Sequence, residues 1–206
     1  MGDFGYKTIG GSSVDSSYWI RGSVFTITEN GVAQSITAYV NCTYIAKHAK
    51  CAIYKHSDLS LVGVTEEKLI PHDAPAWYTF NFADPKPTLT SGTAYILVYW
   101  GDAISGMHSF YYNTGDTDQG HAQNVSYNSF PNPLVPIHST RKHSIYCTYS
   151  TGVAHTQTCS EILGLVDGKT TKTAFHKTAS EVLGLVDDHD KNRCQKCKPS
   201  SVILTF

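Results

Sequence analysis

The chain has 206 residues, of which 16% are charged, and a formal net charge of −1 at pH 7. This length accommodates one sizeable hydrophobic core with an appendage, or two small domains. The near-zero charge excludes a broad basic surface for nucleic acid or anionic membranes, and no apolar run is long enough to span a bilayer. Aromatic residues make up 12% of the chain, a composition typical of β-rich surface modules rather than helical enzymes.

Residues 1–150 are predicted to form one body of short strands separated by turn residues. In chain order, the strand signals are 22–28, 35–43, 50–55, 77–82, 93–100, 109–113 and 144–149. Apolar and polar residues alternate in several of them, and 93–100 is almost continuously apolar, as in a central strand. No 3.6-residue period competes with this pattern. We therefore predict an all-β fold, an antiparallel two-sheet sandwich of jelly-roll-like form.

Residues 151–206 form a C-terminal extension of different composition. The sequence that starts at Thr158 recurs, with few changes, starting at Thr178. Each copy places Glu three residues after Thr, as in a helix capping box, ahead of a short apolar run that Gly164 or Gly184 interrupts. The pattern predicts about one helical turn in each copy. A flexible, processed tail is the alternative interpretation.

The extension also predicts assembly. A short repeat cannot bury its apolar face alone, and two copies are too few for a self-sufficient solenoid. The last residues alternate as a strand that could add to the sheet edge of another subunit. The candidate assembly residues are Ile162, Leu163, Leu165, Val166, Val182, Leu183, Leu185, Val186, Val202, Ile203, Leu204 and Phe206.

Residues 18–150 resemble a β-sandwich module of archaeal, bacterial and viral surface proteins. The residues that carry the likeness are 21–28, 35–39, 52–54, 77–80, 89–95 and 144–146. The extension resembles the Ser-Glu-x-Leu-Gly-Leu-x-Asp tandem repeats of some archaeal surface proteins. The resemblance implies a structural, adhesive or carbohydrate-binding protein without catalytic residues.

Six cysteines leave the redox compartment open. Cys42 and Cys51 lie on core-facing positions of successive predicted strands, where a disulfide would staple a short loop; two buried thiols are the alternative. Cys147 is predicted to be a core residue. In the extension, disulfides of unknown pairing are expected among Cys159, Cys194 and Cys197. The alternative there is a zinc site: Cys194 and Cys197 would form half of it, His189 lies just upstream, and Cys159 or His176 would supply a fourth ligand.

One candidate cofactor is calcium. Asp116 and Asp118 begin an Asp-x-Asp-x-Gly sequence, but the position of the bidentate Glu of an EF-hand is occupied by Tyr127. A solvated turn is the competing interpretation.

No enzymatic motif is present. The ten histidines are scattered, and the sequence has no Gly-x-Ser-x-Gly, His-Glu-x-x-His or phosphate-binding loop. The acidic residues are sparse and nominate no catalytic pair. We predict that the protein is not an enzyme.

Two other features bear on a surface location. Five aromatic side chains are candidates for stacking on sugar rings, although each would also suit a sandwich core: Trp19, Trp77, Trp100, Tyr111 and Tyr112. If the chain is secreted, Asn41 and Asn124 are glycosylation acceptors.

These features predict an extracellular, cell-surface or virion protein. The N-terminal residues lack the basic and apolar regions of a signal peptide, which fits a mature form or a virion part. The first hypothesis is a structural subunit that assembles with copies of itself into a filament or fibre through residues 151–206. The alternative is a carbohydrate-binding or adhesion module that uses those residues as a connector.

Overall fold

The computed structural model describes residues 1–102 and 107–151, and within them the chain is all-β, without a helix. It forms two packed antiparallel sheets, which confirms the predicted class. The eight-stranded front sheet comprises β1 (Gly2–Gly5), β2 (Ser12–Asp15), β4 (Gly31–Cys42), β8 (Ala76–Asn81), β9 (Thr88–Leu89), β11 (His108–Thr114), β14 (Arg141–His143) and β15 (Ile145–Ser150). The seven-stranded back sheet comprises β3 (Trp19–Thr26), β5 (Lys47–Lys55), β6 (Leu61–Val64), β7 (Lys68–Ile70), β10 (Ala94–Gly101), β12 (Gly120–Asn124) and β13 (Ile137–Ser139).

Successive long strands alternate between the two sheets. Strands β3, β5, β10 and β12 belong to the back sheet, and β4, β8, β11 and β15, which interleave with them in the chain, belong to the front sheet. The chain therefore crosses repeatedly from one sheet to the other, and the main core lies between the two sheets.

Strand β4 organises the front sheet. Its 12 residues pair with β15 and β11 along one edge and with β8 and β9 along the other. Ile36, Ala38 and Val40 point inward and are completely buried, as the alternation predicts. The residues between them point outward, so the outer surface of the front sheet is set by this register.

Strand β10 lies within the back sheet, paired with β3 and β5, as its continuous apolar sequence predicts. One of its faces contributes Leu97 and Tyr99 to the main core. The other contributes Ile96, Val98 and Trp100 to a second apolar cluster. Phe130 and Leu134, from the segment between β12 and β13, cover that cluster, so both faces of β10 are buried.

The cysteines of the described residues are free thiols. Cys42, Cys51 and Cys147 are all completely buried in the main core. The Cys42–Cys51 disulfide is therefore not formed in this structure, where the two thiols pack as small apolar groups. Cys42 is on the front sheet, and its thiol donates a hydrogen bond to the Ile45 carbonyl at 3.0 Å, whereas Cys51 is in the back sheet. Cys147 is a core residue, as predicted.

Candidate functional site: an aromatic surface on the front sheet

Four aromatic side chains lie together on the outer surface of the front sheet. They are Tyr39 on β4, Trp77 on β8, Tyr111 on β11 and Tyr146 on β15, and each is only partly buried. We call these four residues the aromatic surface. Its members come from four strands that are far apart in sequence, so the fold rather than a local motif brings them together.

Strand pairing explains the arrangement. Tyr39 lies directly opposite Trp77 across the β4–β8 pair, and Tyr146 lies opposite Thr37 across the β4–β15 pair. Directly opposed residues on one face have their Cβ atoms about 5 Å apart, close enough for aromatic rings to touch. Thr37 faces outward between the rings but is only 4% exposed, and its hydroxyl hydrogen-bonds that of Thr79 at 2.9 Å.

The rings contact one another edge to face in a continuous series. The centroid of the Tyr39 ring lies 5.0 Å from that of Tyr111 and 5.4 Å from that of Trp77. The Trp77 and Tyr146 centroids are 5.5 Å apart. These separations are favourable for aromatic pairs, which fix one another's orientation. The surface is therefore ordered before any ligand arrives, which lowers the entropic cost of binding.

A charged pair lies at the Tyr146 side of the surface. The Lys7 ammonium is 5.1 Å from the Tyr146 ring centroid and forms a 2.8 Å ion pair with Asp3, whose carboxylate also accepts a hydrogen bond from Thr148. The hydrogen bond from Lys7 lowers the pKa of the Asp3 carboxyl, which is thus ionised at neutral pH. The surface combines apolar ring area with hydrogen-bonding groups beside it.

Two of the five predicted sugar-stacking residues lie on the aromatic surface, and the other three lie elsewhere. Trp77 and Tyr111 belong to the aromatic surface. Trp100 is fully buried in the second cluster, and the Trp19 ring is covered by the Arg21 guanidinium, 4.5 Å from the ring centroid. The fifth residue, Tyr112, has the Arg141 guanidinium 5.0 Å from its ring and the His143 ring 5.8 Å away.

Two members of the surface, Tyr39 and Tyr146, were not among the predicted binding residues. The signal for Tyr39 is present in the sequence, because alternation in 35–43 puts it on the polar face of its strand. The sequence does not reveal which strands pair. The pairing of β4 with β8 places Tyr39 beside Trp77, and the pairing of β4 with β15 places Tyr146 where its ring contacts Trp77.

A serine–histidine pair lies inside the sandwich. The Ser23 hydroxyl is 2.9 Å from Nδ1 of His143, which resembles the start of a hydrolase constellation. Ser23 is completely buried and His143 is 1% exposed. The Ser23 hydroxyl also donates to the Arg141 carbonyl and accepts from the His143 backbone N–H. These contacts give the pair a structural role that connects β3 to β14.

The predicted calcium site lies in a turn between two strands. Asp116 and Asp118 lie in the turn from β11 to β12, and no third His, Cys, Asp or Glu of the described residues joins them in a metal-binding group. The calcium site stays a prediction.

The two predicted glycosylation residues differ in exposure. Asn124 ends β12 and is exposed, whereas Asn41 is half-buried and its side-chain oxygen has no hydrogen-bond partner among the described residues. The candidate assembly residues and Cys159, Cys194 and Cys197 lie outside the described residues.

No protein-family model and no curated protein matches this chain. Within the described residues, no helix has the length and apolarity needed to cross a membrane.

Three buried histidines make the stability of the fold depend on pH. Burial lowers the pKa of His108 and His121 to about 4 and that of His143 to about 3. Since an unfolded histidine has a pKa of about 6.5, the unfolded chain binds more protons as the pH falls from about 6.5 towards 4, and it is stabilised relative to the folded chain. The free energy of unfolding is therefore unaffected by these three histidines above about pH 6.5, and it decreases as the pH falls from 6.5 towards 4.

Urea denaturation in EDTA should show this loss. We expect the free energy of unfolding at pH 5 to be several kcal/mol lower than at pH 7, at about 2 kcal/mol for each buried histidine. A His121→Gln variant should show a smaller difference between the two pH values, whereas substitution of the exposed His72 should leave the difference unchanged. Equal stability at pH 7 and pH 5 would contradict the assignment of neutral buried histidines.

Proposed function

We propose that this protein is a non-enzymatic surface protein that binds carbohydrate through its aromatic surface. The observation that carries the proposal is the contact series of Tyr111, Tyr39, Trp77 and Tyr146 on an outer sheet face. The outward face of an antiparallel sheet is usually polar, and a cluster of large, partly exposed side chains there is a typical mark of a binding surface.

The chemistry of these rings suits a sugar. One side of a pyranose ring presents C–H groups and its edge presents hydroxyls, so it can stack on an aromatic face while its edge hydrogen-bonds polar groups. The half-buried Trp77 and Tyr146 rings supply apolar area, and Asp3 and Lys7 beside Tyr146 supply an acceptor and donors. A surface spread over four strands fits an extended polysaccharide better than a single sugar.

Location and mode of action follow from this proposal. A protein that recognises polysaccharide is expected outside the cell, on its surface or on a virion. The aromatic surface requires no metal or cofactor to stack on sugars. Adhesion rather than catalysis is the proposed outcome of binding.

Affinity electrophoresis of the full chain through gels containing neutral or acidic polysaccharides tests the proposal. We expect at least one polysaccharide to retard the protein. Trp77→Ala should weaken the interaction about tenfold, because one lost aromatic contact costs about 1 kcal/mol or somewhat more. Tyr44→Ala is the matched control, since Tyr44 is an aromatic residue that is 73% exposed and does not belong to the aromatic surface.

The comparison requires folded variants. Trp77→Ala and Tyr111→Ala should both unfold cooperatively in urea before their mobilities are compared. Migration unaffected by every polysaccharide would contradict the proposal, as would retention of Trp77→Ala and Tyr111→Ala equal to that of the original chain.

Self-assembly through residues 151–206 is a second candidate function, supported by one edge of the back sheet. Among the described residues, β13 pairs only with β12, so its other edge is open to strand addition. Exposed apolar side chains accompany it: Val135 is 70% exposed and Ile137 is 61% exposed. The alternating C-terminal residues 201–206 have the character of a strand suited to such an edge in a second copy.

Deletion of residues 200–206 tests assembly. We expect the full chain to form multimers in size-exclusion chromatography and the truncated chain to elute as a folded monomer that still binds polysaccharide. Multimers that persist after the deletion would rule out the terminal strand as the joint, and a full chain that is monomeric at high concentration would rule out self-assembly.

A further inference from the structure

Two arginines extend from opposite sheets towards the space between them, at the β14 edge of the sandwich. Arg21 is in β3 and lies directly opposite Tyr99 of β10, whose ring belongs to the main core. Arg141 is in β14, two residues before the buried His143, so the two side chains share the inward face of that strand. The Ser23 hydroxyl joins β3 to β14 by donating a hydrogen bond to the Arg141 carbonyl at 3.0 Å.

Each guanidinium packs on an aromatic ring. The guanidinium carbon of Arg21 is 4.5 Å from the Trp19 ring centroid, and that of Arg141 is 5.0 Å from the Tyr112 ring centroid. Arg21 is 8% exposed, whereas Arg141 and both rings are half-buried. The aromatic contacts orient the two guanidinium groups, and the half-buried Arg141 leaves the pair accessible from solvent.

Most hydrogen-bond donors of the two arginines have no acceptor in the described part of the chain. Each guanidinium carries five N–H donors. The Nε of Arg21 donates to the backbone carbonyl of Asp15 at 2.6 Å. Among the described residues, the Arg21 side chain has no second acceptor, the Arg141 side chain has none, and neither arginine belongs to an ion pair. The remaining N–H groups are available to a ligand.

The positive charges of the pair outnumber the negative charge beside them. Burial and then repulsion by Arg141 lower the pKa of Arg21 to about 10, so Arg21 stays charged at neutral pH. The Asp15 carboxylate favours the charged form of Arg21 and offsets part of the repulsion, and the neutral His143 adds no charge. Buried charges in proteins are normally paired, and an anion between the two guanidinium groups would supply that pairing.

We propose that Arg21 and Arg141 together bind an oxyanion, which is a sulfate, phosphate or carboxylate group. A guanidinium offers parallel N–H groups that match the oxygens of such a group, a geometry that lysine does not provide. The chain has three arginines, and two of them form this pair. The aromatic surface lies on the outer face of the front sheet, so oxyanion binding does not depend on the carbohydrate proposal.

Isothermal calorimetry of the full chain at pH 7 and constant ionic strength tests the site. Sulfate, phosphate and acetate are each compared with a sugar that carries the same group: glucose 6-sulfate, glucose 6-phosphate and glucuronate. We expect at least one of these six probes to bind, with one ligand per chain. A sugar that binds more tightly than its simple ion identifies the acidic group of a larger molecule as the ligand, and the reverse order identifies a free ion.

Substitution of Arg141 should weaken this binding. Arg141→Gln should raise the Kd at least about tenfold, because it removes charge-assisted hydrogen bonds to the anion. Lys142→Gln is the matched control, since it removes the same charge from the next residue of β14, whose ammonium lies 4.8 Å from the Tyr6 ring centroid. We expect it to bind like the original chain. Arg141→Lys keeps the charge without the planar donors and should be intermediate.

NMR of the original chain with ¹⁵N-labelled arginine gives a second measurement that needs no variant to fold. The Nε–H signals of Arg21 and Arg141 should shift as the anion is added, while that of Arg193 stays in place. Absence of binding by every probe would overturn the proposal, and so would unchanged signals of both Arg21 and Arg141. Equal weakening by Arg141→Gln and Lys142→Gln would also overturn it, because that result reports only a general effect of net charge.

Discussion

The register of strand β4 determines which side chains of the front sheet face the core and which face outward. Its inward residues, such as Val40, are completely buried, and Tyr39 beside it points outward to meet Trp77. A slip of one residue would bury Tyr39 and expose the apolar set, so burial of the core holds the register in place. Because four strands pair with β4, the same constraint positions Tyr146 and Tyr111.

The back sheet differs because both of its faces are covered near β10. The second cluster, which includes Trp100 and Phe130, gives this sheet an outer layer of side chains that the front sheet lacks among the described residues. Burial of polar groups accompanies this arrangement: His121 and His143 are held neutral inside or against the sandwich. The fold is thereby sensitive to acid.

Alternation predicted the fold class and the inward residues of the longest strands, because burial of one sheet face repeats every second residue. The short strands that were missed have two to five residues each, too few for a pattern that distinguishes a strand from a loop; they are β1, β2, β6, β7, β9, β12, β13 and β14. The aromatic surface was only half predicted. Trp77 and Tyr111 were chosen as exposed aromatics, but Tyr39 and Tyr146 join them only through long-range strand pairing, which composition and spacing do not encode. Trp100 is buried because a loop covers the outer face of its strand.

The central claim is that the outer face of the front sheet, rather than another part of the molecule, contacts carbohydrate. The most direct test is NMR of the full chain with ¹⁵N-labelled tryptophan, in which each of the three indole N–H groups gives its own signal. Oligosaccharides of the polysaccharide that retards the protein are then titrated. We expect the Trp77 signal to shift and saturate while that of the buried Trp100 stays in place. Binding of the oligosaccharide with no change at Trp77 would contradict the account.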